Sequence, residues 1–303
     1  MPVKNIFKGT RLSGGSDLVF DIVNNILMVI VLLVVIYPLI YILSASLSSA
    51  DAVAAGKVWL LPIKPTILAY TGIFQNKSVL TGYFNSAYYM VVGTIINVIF
   101  TMMAAYPLAR RDLRGRKIIM MYFMFTMMFS GGLIPTYMLI KSLHMIDTRL
   151  AMILPGALAV WNMTITRTYI RTSIPEELYE SAEIDGAGDL FVFWKIVIPL
   201  SVPIIAVITL FYAVEHWNSY FDALIYIKRS SLYPLQIILR NILILNISDF
   251  TMITSELELA QRYALAELLK YSLIIVASLP MLLIYPFAQK YFIKGIMIGS
   301  IKG

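Results

Sequence analysis

Six long apolar runs, separated by shorter polar stretches, constrain this chain more than any other feature. A helix needs about 20 predominantly apolar residues to cross a bilayer, where every backbone polar group must be satisfied within the segment. The runs fall at residues 25–47, 86–109, 118–140, 150–166, 196–214 and 271–289, with Pro38 as an expected kink in the first. The fourth is the shortest. The sequence thus predicts an all-α polytopic membrane protein with six transmembrane helices. Composition agrees, with 59% hydrophobic and 14% charged residues, against about 45–50% and 25% in soluble domains.

The formal charge of +7 serves topology here rather than nucleic-acid binding, because Lys and Arg in short loops mark the cytoplasmic side. The turn RRDLRGRK, residues 110–117, holds five cations and one acid. Lys4, Lys8 and Arg11 before the first run, and Lys290, Lys294 and Lys302 after the last, place both termini on the same side. No apolar segment with a small-residue cleavage site follows the basic start, so the first run is expected to stay as a span. The expected organisation is a cytoplasmic segment 1–24, a six-span domain 25–290 and a cytoplasmic tail 291–303, with outer loops at 48–85 and 217–270. There is no cysteine and there are only two histidines, which excludes disulfides and offers no metal constellation.

Residues 171–199 interrupt the oily pattern. Glu176, Glu177, Glu180, Glu183, Asp185 and Asp189 are six of the chain's seventeen acids. Burying six acids at mid-membrane would cost on the order of 15 kcal/mol, so the segment belongs in water, on the cytoplasmic side. Ser173 and Glu176 are spaced as a capping box, with Pro175 in the first turn. Ile174, Leu178 and Ala182 are spaced to line one helical face. Gly186 and Gly188 break this helix, Asp189 is placed to cap a second one, and Pro199 marks the return to the membrane.

Glu180-Ser181-Ala182, three residues, Gly186, nine residues and Ile196-Val197-Ile198-Pro199 resemble the E-A-A-x3-G-x9-I-x-L-P signature of ABC importer membrane subunits. Ser181 and Ile198 depart from it while preserving size and character. Residues 129–188, Asn85-Ser86 and the tail AQKYFIKGIMIGSIKG are similar to the carbohydrate-uptake, maltose-type branch, in particular to permeases for polysaccharide-derived oligosaccharides. The resemblance implies a type I importer permease fold in a bacterial plasma membrane. It also implies a second homologous permease as heterodimer partner, two ATPase subunits that bind ATP and Mg, and an extracellular or periplasmic solute-binding protein. By resemblance, Glu180, Ser181, Ala182, Asp185, Gly186, Ile196, Ile198 and Pro199 couple to the ATPase. Glu180 would meet its basic groups, Ala182 would keep the surface shallow and Gly186 would allow the turn. Lys294, Gly295, Gly299 and Ser300 would contact the ATPase from the tail, against the plainer reading of a lipid anchor.

The chain lacks a G-x4-G-K-[ST] phosphate loop, so it carries no nucleotide site of that kind, and it is expected to be no enzyme and to hold no cofactor. Sugars are held by aromatic faces and planar hydrogen-bonding groups. Residues 211–227 concentrate these, with Glu215, Trp217, Asn218, Tyr220 and Asp222 as candidates for the substrate if the helix continues through them. Interfacial Trp and Tyr belts give the same composition. Tyr88, Tyr89, Asn97, Tyr137 and Asn162 are further span residues of this type. An ion-gradient-driven secondary transporter is the alternative function. It would need ionisable relays inside the spans, and the six cores carry none.

Overall fold

The structure, a computed structural model, describes residues 15–248 and 267–286. It is helical, with no strand among the described residues. The described residues form two compact units, one drawn from residues 15–71 and 267–275 and the other from residues 72–248 and 276–286.

In the first unit, α1 (Gly15–Ser46) runs for 32 residues, with Pro38 inside it. Its most apolar window has a mean hydropathy of 3.1 and no buried residue, and every residue from 18 to 40 is exposed. A helix that is apolar on every side and uncovered by its own chain suits lipid. Ser48 turns the chain after α1, its Oγ donating to Ser44 O at 2.7 Å and accepting from Ile63 N at 3.0 Å. Next come α2 (Ala50–Ala54) and α3 (Leu68–Gln75). Ala45, Val53, Val58 and Ala69 of this region bury Leu268, near the start of α15 (Glu267–Pro286). Ser272 Oγ donates to Ser46 O at 3.2 Å.

The second unit is organised on α4 (Lys77–Ala109), whose N-cap Asn76 accepts from Ser78 N at 2.9 Å. It continues through α5 (Arg116–Met128), α6 (Leu133–Ser142), α7 (Leu150–Ile153) and α8 (Val160–Ser173). Beyond these lie α9 (Glu176–Ile184), α10 (Asp189–Val192), a π turn at Phe193–Val197 and α11 (Ile198–Leu200). The unit's last full helices are α12 (Val202–Asn218), α13 (Phe221–Tyr226) and α14 (Leu235–Ser248). α4 packs against α8, α12 and α14. Residues 233–245, too short an apolar run to span and interrupted by Arg240, lie largely in α14, which packs on the protein with Leu235, Ile237 and Leu239 buried.

Three described helices are long and apolar enough to span a membrane, Leu18–Ser46, Lys77–Ala109 and Glu267–Pro286, and two bent pairs bring the number to at most five. Three of the six runs expected as transmembrane helices are thus bent or interrupted rather than single straight helices. The third run breaks between α5 and α6 with a bend of 112°, because Gly132 takes a left-handed φ of +83° that other residues disfavour. The fourth is no single helix. Pro155 and Gly156 interrupt it between α7 and α8, and the α4 and α12 side chains stabilise the break. Asn97 Nδ2 donates to Gly156 O at 2.9 Å, and Ala159 N donates to Tyr212 OH at 3.2 Å. The fifth bends by 80° at Ser201. Just before the bend, Pro199 lacks the amide that would bond back along the ladder, and the helix passes through its π turn.

Candidate coupling site

The acidic segment folds as a helix–turn–helix, with local signals that differ from those expected. Ser173 ends α8, and the N-cap of α9 is Pro175, so the capping box does not form. Glu176 and Glu177 still occupy the first turn of α9, where the helix dipole favours negative charge. Because α9 starts after Ile174-Pro175, its buried face is Tyr179 and Ala182, and Leu178 is exposed. Asp189 is likewise the first residue of α10 rather than its cap, which is Gly188.

Gly186 closes α9 at φ +74°. Its amide donates to Glu183 O at 3.0 Å, and Ala187 N donates to Ala182 O at 2.9 Å. These bonds satisfy carbonyls that a helix end leaves open. Ala182 faces inward, so it does not shape the outer surface, a correction to the role expected of it. The outward surface is made by Glu180, Ser181, Glu183, Asp185 and Gly186. Ile184 projects among these acids at 86% exposure, and Leu190 at 77%. Two nearly bare aliphatic tips thus stand on a polar, exposed knuckle. Ile196 and Ile198 are half-buried and Pro199 is exposed.

Beneath the knuckle, Tyr179, Ala182, Val192, Phe193 and Val197 enter one buried cluster with Met102, Ala105, Tyr106, Ile208 and Tyr212. The segment therefore shares a core with α4 and α12. Burial pushes the Tyr179 hydroxyl up to about 12, so it stays neutral in the cell. Nearby, the Arg110 guanidinium bonds Asp112 and holds its carboxyl below the ordinary range.

The outer candidates separate. α12 ends at Asn218 and α13 begins at Phe221, so the continuing helix expected to align Glu215, Asn218 and Asp222 is not there. Glu215, Asn218, Tyr220 and Asp222 are exposed. Trp217 is only 1% exposed, packs edge-on to Tyr83, and donates from Nε1 to Ala277 O at 2.9 Å. Its expected role as a stacking platform for sugar is corrected to a structural one. Tyr89 and Asn97 are also committed inside the protein, through Leu232 O and Gly156 O. Asn162 is buried, Tyr137 stacks on Tyr226, and Tyr88 lies under Arg149. No group of three His, Cys, Asp or Glu able to hold a metal occurs among the described residues.

A family profile described as binding-protein-dependent transport system inner membrane component matches residues 78–298. The chain belongs to that family. It is thus a multi-pass permease component of the ABC-importer type. Protein LplC of Bacillus subtilis (strain 168) is 40% identical over 285 residues, 94% of this chain and 95% of that protein. The polygalacturonan/rhamnogalacturonan transport system permease protein YtcP of the same organism is 40% identical, covering 86% of this chain and 91% of its own. A solved bacterial ABC transporter involved in the import of the acidic polysaccharide alginate contains a chain with a TM-score of 0.84 and 34% identity. That match covers 93% of this chain and 100% of the other.

For a permease of this family, the sequence reading missed Ile184 and Leu190 as outward tips. Their signal was present: each is an aliphatic residue beside Asp185 or Asp189, in a segment too acidic for the membrane. The tail residues Lys294, Gly295, Gly299 and Ser300 lie outside the described residues.

Proposed function

We propose that this permease is one of two homologous membrane subunits of an ATP-driven importer for oligosaccharides released from acidic polysaccharides. Six membrane crossings, counting the bent and interrupted runs, leave both termini and α9 in the cytoplasm. Two partner ATPase subunits hold ATP and Mg, and this chain catalyses nothing itself. An external solute-binding protein delivers the sugar. Glu180, Ser181, Asp185 and Gly186, with Ile184 and Leu190, meet the ATPase; Ile196, Ile198 and Pro199 carry its movement toward α12. Lys294, Gly295, Gly299 and Ser300 add a second ATPase contact. Closure of the ATPase dimer then switches the pathway between outward- and inward-facing states, with Asn218 and Tyr220 available to the sugar, while the carboxylates of Glu215 and Asp222 would repel a uronate.

The observation that carries this reading is the near full-length likeness to a chain of the alginate importer, at 34% identity. The likeness to a polygalacturonan/rhamnogalacturonan permease supports the same substrate class, since both polymers are built with uronic acids. The exposed knuckle on a shared core supports the coupling role. An ion-gradient mechanism is not favoured by membership of a binding-protein-dependent family.

The test is ATPase stimulation of the complete purified assembly, with its binding protein, in lipid nanodiscs. Oligogalacturonates and alginate oligomers should stimulate hydrolysis, while raffinose and arabino-oligosaccharides should not. Stimulation by neutral sugars alone would overturn the substrate class.

A further inference from the structure

The turn between α4 and α5, rich in positive charge, also holds α9 directly. Arg111 Nε lies 3.3 Å from Glu176 Oε2 in the first turn of α9. The Arg110 guanidinium sits 4.6 Å from the centroid of the Tyr179 ring, in the middle of α9. Tyr106, one turn earlier in α4, packs 5.4 Å from Phe193 and 6.5 Å from Tyr179.

These contacts differ in weight. Arg111 is well exposed and Glu176 partly so, so water and salt screen their attraction. The Arg110 side chain is only 15% exposed and Tyr179 only 7%, and a desolvated cation–ring contact is the stronger kind. Arg110 is also fixed in place. It makes a bidentate pair with Asp112, at 2.9 and 3.0 Å, and its carbonyl accepts from Arg116 Nη1 at 2.7 Å.

We infer that Arg110 and Tyr179 are positioning residues forming a clamp that locks α9 to the cytoplasmic end of α4, so that displacement of α9 carries α4 with it. The inference rests on the coupling role proposed for α9. Covalently, α9 is held only by the Ile174-Pro175 link to α8 and by the Gly186 turn ahead of the bend at Ser201. Both are hinge-like. α4, by contrast, packs along α8, α12 and α14, so whatever is rigid with its end reaches the rest of the unit. The clamp uses the face of the Tyr179 ring, so Phe preserves it and Leu does not.

The chain has no cysteine, which permits clean spin labelling. Labels at Arg114→Cys and Glu183→Cys, in the complete purified assembly, report the separation of the turn and α9. The clamp requires the same narrow distance distribution without nucleotide and with ATP–vanadate. Tyr179→Leu should broaden that distribution, Tyr179→Phe should retain it, and adding Arg110→Gln to Tyr179→Leu should change nothing more. If Tyr179→Leu does not assemble, Arg110→Gln alone is read in its place. A distance that moves with nucleotide in the unmodified protein, or a Tyr179→Leu distribution (or Arg110→Gln in its place) as narrow as the original, overturns the clamp. A second pair, with one label at Glu183→Cys and the other on the equivalent helix of the partner permease, tests the coupling role itself. No nucleotide-dependent change there removes that role, whereas a change there combined with a mobile Arg114–Glu183 distance removes only the clamp.

Discussion

Gly186 offers the sharpest perturbation, because its two possible roles give different orders of effect in one substitution series. Its φ of +74° is left-handed, and a Cβ built on it meets nothing within 4 Å in its own chain. Side-chain bulk therefore costs the isolated permease nothing, and only backbone strain remains, about 1–2 kcal/mol for a residue with a Cβ. Asn tolerates this conformation better than Ala or Leu. In the purified permease, Ala and Leu should lower stability equally, by about 1–2 kcal/mol, and Asn by less. Coupling should follow a different order. If the open space over Gly186 is filled by an ATPase subunit, Leu obstructs docking while Ala and Asn mostly do not. The assay is ATP hydrolysed per oligosaccharide imported in proteoliposomes. Leu should raise this ratio sharply, with Ala and Asn close to the original. A Leu variant that stays coupled would refute docking at Gly186, and a ratio that tracks strain, with Ala equal to Leu, would refute the steric argument.

Other expectations follow from packing and charge. Gly93 lies against the His216 ring, so Gly93→Val should destabilise the permease by about 1–3 kcal/mol through overpacking, measured as a lower unfolding temperature. Trp217→Phe leaves the Ala277 carbonyl without its donor and should cost about 1–3 kcal/mol of stability with no change in sugar KM, whereas Tyr220→Ala should raise KM and spare stability. Asp147 accepts from the amides of Lys228 and Arg229, both at 2.9 Å, and these bonds, with the Arg229 guanidinium, lower its carboxyl from the ordinary value. A depressed carboxylate stabilises above its unfolded pKa, about 3.9, and loses that contribution as pH falls through the folded value. Tryptic cleavage after Arg229 at neutral pH should therefore be faster in Asp147→Asn, and the unmodified protein should lose this anchor only below about pH 4; equal cleavage rates would contradict it.

Much of this architecture was legible because the membrane imposes length and polarity rules that single residues obey. The exposed apolar helix α1, the long α4 and the exposed acidic knuckle follow from hydropathy and acid placement alone. The end of α9 at Gly186 was legible because a glycine there breaks a helix. What sequence periodicity could not supply were tertiary choices. The interruption at Pro155 and Gly156 is tolerated because Asn97, fifty-nine residues away, bonds the exposed carbonyl. Trp217 reads as interfacial by type, and only the Ala277 carbonyl reveals that it is interior. The capping box failed for a local reason: Ser173 was already used to finish α8. The contact of Arg110 with Tyr179 joins two segments that composition sorts separately, one as a topology mark and the other as a docking helix.

The central claim is that the exposed knuckle is gripped by a nucleotide-hydrolysing partner. A photoreactive side chain placed at Ser181 in living cells, followed by identification of what it captures, tests this directly. The account predicts a covalent adduct with an ATPase subunit, formed inside the cell. Capture of the external binding protein, or of no ATPase at all, would contradict it.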